Sequence, residues 1–181
     1  MPQSSSELFL LGKRRFAPLF VTNLLGVFND NLFKTGLLVM GSYVIYRADP
    51  TKSALLGTLA TGVFILPFFL FSAVAGQMAD AWERAKMVRL VKLAEVAIMG
   101  LGLAGFCTQS IGLLLAALFL MGVHSSVYGP LKYAILPQQL HEGDILGGTG
   151  LMEAGGFVAI LAGQLAAGLV APWQAGALAC A

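Results

Sequence analysis

Residues 27–36 read VFNDNLFKTG, with an aspartate, two asparagines and a lysine set inside an apolar stretch from Phe16 to Tyr46. A bilayer core of about 30 Å takes about 20 apolar residues in a helix. The stretch is therefore long enough to span a membrane with polar residues at its centre, and what those residues do decides how the chain is read. The rest of the sequence has the same apolar character. Of 181 residues, 57% are apolar and 11% charged, with a mean hydropathy of +0.81, against about 25% charged in soluble domains. This is the composition of an all-α, polytopic membrane protein.

The net charge of +2 gives no sign of nucleic-acid binding. Cys107 and Cys180 are too few and too far apart for a disulfide framework or a metal site, and no cofactor is expected. Lys13, Arg14 and Arg15 precede an apolar stretch far longer than the ~7–15 residues of a signal-peptide core, so it reads as a retained spanning helix. Further apolar runs predict helix 2 over about 54–78, helix 3 over 87–106, helix 4 over 111–136 and helix 5 over 145–171. A sixth run, QAGALACA, begins after Pro172 and Trp173. This divides the chain into a short N-terminal segment, 1–15, and a bundle, 16–181, of five full helices and the start of a sixth.

Basic residues cluster before helix 1 (Lys13, Arg14, Arg15) and after helix 2 (Arg84, Lys86, Arg89, Lys92), while the 3–4 connection CTQS is uncharged. By the positive-inside rule the N-terminus and the 2–3 loop are cytoplasmic. In helix 5, Gly155, Ala159, Gly163 and Ala167 recur every four residues, a pattern that lets a neighbouring helix approach closely.

Two helices concentrate the intramembrane polar residues. On helix 1, Asn23, Asp30 or Asn31, and Lys34 share a face, and Asp30 precedes Lys34 by four residues, the favourable order for an ion pair. A central charge costs roughly 2.5–3.5 kcal/mol even on the lenient insertion scale, so the pair reads either as an interhelical clamp or as the lining of a hydrated cavity. In helix 4, GVHSSVYGPLKYAILP, Pro130 removes a backbone donor and predicts a kink. His124, Ser125, Ser126, Tyr128 and Lys132 gather around it. Lys132 either snorkels to the headgroups or meets a substrate, and His124 reads as a packing or hydrogen-bonding residue ahead of a proton relay. Glu95 has Lys92 one turn earlier. Glu153 has no basic neighbour in sequence, so its partner comes from another helix or it is protonated. Helices 1 and 4 stand three apart, as do corresponding helices of inverted three-helix repeats that line a central transport site.

GQMADAWERAKMV, residues 76–88, resembles the loop motif of the major facilitator superfamily. Gly76, Asp80, Arg84 and Lys86 fit, while Ala81 and Glu83 depart from the usual arginine and glycine. The resemblance implies a conformational latch, though a plain solvated loop would look similar. FNDNLFK (28–34), YGPLKYAIL (128–136) and GLMEAGGFVAILAG (150–163) narrow the likeness to the bacterial lysophospholipid transporters of that superfamily, over residues 14–181. Some of these are fused to an acyltransferase and an acyl-carrier-protein ligase, and Lys34 after NDN is closer to those.

The resemblance implies an inner-membrane carrier moving lysophospholipids such as lysophosphatidylethanolamine toward re-acylation. Asp30 would meet a headgroup ammonium, with Asn29 and Asn31 as hydrogen-bonding neighbours. Lys34 or Lys132 would hold the phosphate, and Tyr128, His124 and Glu153 would line the cavity. FILPFFLF in helix 2 offers surface to an acyl tail or to membrane lipids. The superfamily has two six-helix halves, so the expected partners are a C-terminal half and a fused or separate acyltransferase. Competing readings are the membrane domain of a fused acyltransferase, an ion-coupled small-solute carrier and a noncatalytic scaffold. No nucleophile–base constellation supports catalysis within these residues.

Overall fold

The computed structural model describes the backbone of residues 7–81 and 83–179 and the side chains of residues 9–77, 83 and 86–169. A 3-10 helix at Glu7–Gly12 leads into α1 (Ala17–Met40), which is extended by a π-helical turn at Gly41–Ile45. Then follow α2 (Pro50–Ala81), α3 (Arg84–Cys107), α4 (Ile111–Gln139), a 3-10 turn at Glu142–Asp144 and α5 (Ile145–Ala179). No strand occurs among the described residues.

Four of these helices, α2 to α5, are long and apolar enough to cross a membrane. With 24 residues, α1 has the length, about 36 Å, but Asn23, Asn29, Asp30, Asn31 and Lys34 dilute its hydropathy. The expected count of five spans is thus met on composition by four.

Proline accounts for two further departures from expectation. Helix 4 was to stop before Pro137, yet α4 runs to Gln139, and the Leu140 N–H bonds the Leu136 carbonyl. In the last turn the missing proline N–H removes a single bond, and the next donor closes the end. The separate sixth helix is not formed either, because α5 continues through Pro172 to Ala179. A proline inside a membrane helix is tolerated where the freed backbone groups can be re-satisfied locally, and the alanine-rich flanks keep helical propensity high.

The helix ends follow local chemistry. Asp49 precedes Pro50, and its Oδ1 accepts the Lys52 N–H at 3.0 Å, capping α2. That bond holds the Asp49 carboxyl below the usual carboxylate range. Between α3 and α4, Gln109 takes the left-handed conformation with φ 52°. The Ser110 N–H returns to the Gly105 carbonyl and the Gln109 N–H to that of Phe106, a Schellman closure. Ser110 Oγ then accepts the Leu113 N–H.

The helices pack as α1 against α5 and as α4 against both α2 and α3. Residues facing outward from α2, α3 and α5 include Phe69, Val96 and Leu161, as expected of surfaces in contact with lipid. Bilayer tails are as apolar as leucine, so close packing rather than water exclusion holds such helices together. The small residues of α5 supply that closeness. Ala159 and Ala167 are buried. A Cβ on Gly163 would lie 2.5 Å from the Phe28 carbonyl oxygen and 3.0 Å from the Leu32 nitrogen of α1. A Cβ on Gly122 of α4 would likewise lie 2.5 Å from the Phe64 carbonyl oxygen of α2.

Two apolar clusters occupy opposite ends of the bundle. One joins Phe33 and Leu37 to Leu56, Ile98, Leu114, Leu118 and Met121. The other, at the end that carries Lys13–Arg15, joins Leu10, Phe16 and Leu19 to Leu136, Leu140 and Met152. Between them on α1, α3 and α4 lies a polar belt. Gly163→Leu is expected to part α1 from α5 at a cost of about 1–3 kcal/mol, read as a lower melting temperature of the purified protein. Gly168→Leu, whose Cβ would meet open space, should leave it unchanged.

Candidate functional site

At the centre of the belt Ser125 Oγ of α4 donates to Asp30 Oδ2 of α1 at 3.0 Å. On α3, one turn of helix brings Lys92 Nζ to Glu95 Oε2 at 2.7 Å, the pair expected from the sequence. Gly26 of α1 makes room for it, since a Cβ there would lie 2.8 Å from Lys92 Nζ. His124 Nε2 stands 3.6 Å from Glu95 Oε2, and the imidazole stacks on Tyr128 with centroids 6.0 Å apart. Lys92 Nζ also lies 4.5 Å from the Tyr128 ring centroid. Three helices thus converge on one cluster of acid, base and aromatic groups.

Several buried polar atoms in the belt have no hydrogen-bond partner: Asn23 Oδ1, Asn29 Nδ2, Asp30 Oδ1, both His124 ring nitrogens and Tyr128 Oη. An unsatisfied buried group costs about 1–3 kcal/mol, and such groups are few in native proteins. Acceptors (Asn23, Asp30) and a donor (Asn29) sit within two turns of one helix. Their chemistry suits a polar ligand with a cationic part.

The ion pair expected between Asp30 and Lys34 is not formed within 4 Å. An i,i+4 pair is worth only ~0.2–0.5 kcal/mol on an isolated helix, and each residue finds a partner on another helix instead. Asp30 accepts from Ser125, while Lys34 Nζ lies over the Phe64 ring of α2, 4.3 Å from its centroid. Phe64 in turn contacts Phe68 at 5.7 Å. The two opposite charges stand one turn apart on α1, each without a charged partner among the described residues.

The other expected site residues separate. Asn31 is buried on the α5 side of α1, where its Nδ2 donates to the Val27 carbonyl at 2.8 Å and its Cβ faces Gly163. Lys132 Nζ stands 3.5 Å from Glu153 Oε1 and 4.7 Å from the Tyr133 ring centroid, and the Tyr133 hydroxyl donates to the same Glu153 oxygen. The missing partner of Glu153 is therefore on α4. Lys132 is seven residues beyond Ser125, roughly 10 Å along the helix.

Of the latch residues, the side chains of Asp80 and Arg84 lie outside the described residues. Gly76 has open space at its Cβ position, and Lys86 pairs with Glu83 at 2.6 Å. Sequence reasoning did not select Asn23, Ser125, Lys92 or Glu95 for the site. The signal was present: a Lys–Glu pair inside a spanning segment is rare enough to be a functional candidate by default.

Ser125→Ala should destabilise the protein by about 1–3 kcal/mol, measured by thermal unfolding. The loss should be non-additive with Asp30→Asn in a double-mutant cycle, since both changes remove the same bond.

Comparison with known proteins agrees with this architecture. A family described as transmembrane secretion effector matches residues 16–181. Proteins named Lysophospholipid transporter LplT are similar to the chain: those of Salmonella enteritidis and Salmonella typhimurium at 30% identity over 89% of this chain and 38% of their own length, and that of Cronobacter sakazakii at 28% over 98% of this chain and 42% of its own. The chain thus spans about two fifths of the length of these relatives. No solved structure matches it. With its all-helical, lipid-exposed bundle and this match over residues 16–181, the chain is a multi-pass membrane protein and belongs to the transmembrane secretion effector family of the major facilitator superfamily.

Proposed function

We propose that the polar belt is the headgroup-binding part of a lysophospholipid carrier that works by alternating access. The observation that carries this reading is the separation of Asp30 from Lys34. Opposite charges one helical turn apart, roughly 6 Å, would be expected to neutralise each other if their role were to clamp helices. Asp30 instead bonds Ser125 and Lys34 lies over Phe64, neither with a charged partner within 4 Å among the described residues. A phosphoethanolamine headgroup carries an ammonium and a phosphate two carbons apart and would complement both.

In this reading Asp30, helped by the free oxygen of Asn23, receives the ammonium, and Asn29 donates to a headgroup oxygen. Lys34 holds the phosphate as a compact point charge. The acyl tail leaves along Phe64 and Phe68, toward the outward-facing aromatic residues of α2. Tyr128 and His124 form the wall opposite α1. The names of the relatives support a lysophospholipid as the substrate class.

The same hypothesis sets the N-terminus, residues 1–15, on the cytoplasmic side of a bacterial inner membrane, supported by the basic residues around helices 1 and 2, with α1 as a further span. Gly76, Asp80, Arg84 and Lys86 would act as the cytoplasmic latch. The relatives are more than twice as long as the segment they share with this chain, which supports a second set of helices as the other wall of the path. An acyltransferase, fused or separate, would consume the transported lipid.

The test is uptake of labelled lysophosphatidylethanolamine by the native gene product in membrane vesicles. Asp30→Asn and Lys34→Gln are each expected to lower the rate about tenfold or more, corresponding to about 1.4 kcal/mol or more, at unchanged protein abundance. Wild-type flux in the double variant would sink the headgroup assignment and favour the scaffold reading.

A further inference from the structure

A cavity of about 490 Å³ opens at the end of the bundle where the N-terminal segment meets the α4–α5 turn. Lys13, Arg14 and Arg15 line it on one side, and Gln138, Gln139 and His141 on the other. Leu140 closes it, buried in the apolar cluster with Leu10 and Phe16. We infer that this pocket binds the phosphate headgroup of an anionic membrane phospholipid, at a site separate from the polar belt.

Charge is the first argument. Among the described residues no carboxylate lines the cavity. The nearby Asp144 is held by Lys13 at 2.5 Å, and Arg14 and Arg15 have no acidic partner among the described residues. Two adjacent guanidinium groups offer planar forks of donors that match phosphate oxygens, and the two glutamine amides add neutral donors.

Depth is the second argument. Arg15 directly precedes Phe16 and the apolar part of α1, and His141 lies two residues beyond the end of α4, so the pocket sits at the headgroup level of spans that end there. Basic pockets between helices at that level suit anionic lipid headgroups. Phe9 and Leu146, 66% and 85% exposed, flank the region with apolar side chains that can lie against acyl chains. Arg15 and Asp30 are fifteen residues apart, roughly 20 Å along the chain, so one headgroup does not reach both sites.

A lipid seated here bridges residues 13–15 to the α4–α5 turn and reinforces the Lys13–Asp144 contact. The test is thermal unfolding of the purified native gene product in neutral detergent, with phosphatidylglycerol, phosphatidylcholine or inorganic phosphate added. Phosphatidylglycerol is expected to raise the melting temperature by several degrees, and the rise should shrink as sodium chloride is increased. Phosphatidylcholine should give little rise. Arg14→Gln with Arg15→Gln should remove more than half of the phosphatidylglycerol increment.

His141→Glu places a carboxylate in the pocket without altering the charges that orient α1, and should do the same if the arginine variant fails to insert. Equal shifts with both lipids, or a full phosphatidylglycerol increment in His141→Glu, would overturn the proposal. A full increment from inorganic phosphate alone would reassign the pocket to a free anion and overturn the lipid.

Discussion

A carboxyl oxygen buried between helices has no water to bond, and the position of Asp30 therefore constrains what packs around it. The Ser125 hydroxyl bonds one of its oxygens, and that bond requires α4 to lie against the central part of α1. Gly26 must then stay small, because Lys92 of α3 comes up beside it. Above and below this level α1 and α4 return to leucine, phenylalanine and methionine, joined by α2 and α3 at one end and by α5 at the other. The polar belt is thus closed by apolar packing at both ends, which keeps its electrostatic interactions in a low-dielectric setting where they are strongest.

The intramembrane charges fall into two kinds. Lys92 with Glu95 and Lys132 with Glu153 are paired, so their charges are offset within the protein. Among the described residues Asp30 meets a hydroxyl and Lys34 an aromatic face, and neither is paired with a charge. The Lys132–Glu153 pair can hold α5 in register with α4, while the Lys92–Glu95 pair lies within α3 and meets α4 through His124 and Tyr128. The unpaired ones lie on one helix next to an aromatic surface.

The packing is uneven in a way that bears on movement. α1 and α5 approach at Gly163 until backbone meets backbone, and α2 and α4 do so at Gly122. α1 and α4 pack less extensively and are joined at the level of the belt by the Ser125–Asp30 hydrogen bond. A seam held by hydrogen bonds can exchange them for bonds to a ligand at small net cost, whereas an interlocked seam has no such alternative. In folds built from inverted three-helix repeats, α1 and α4 occupy corresponding positions, and here they face each other across the belt.

Periodicity and composition alone determined an all-helical chain and the limits of α2, α3 and α4 to within a few residues. They also determined the small-residue face of α5 that packs on α1, and the Lys92–Glu95 pair, because these features rest on side-chain spacing within one helix. The latch-like loop and the NDN stretch, quoted as they stand, were sufficient to place the chain in its superfamily. The continuation of α5 through Pro172 was not legible, since a local rule about proline weighs against helix where the surrounding residues favour it. Only the tertiary structure decided that Asp30 turns to Ser125, ninety-five positions away in sequence, that Lys34 turns to Phe64, and that Lys132 belongs to Glu153 rather than to the belt. The physical reason is that a charge in a membrane takes the best partner within reach in space, and spacing along one helix cannot show what a second helix brings to it.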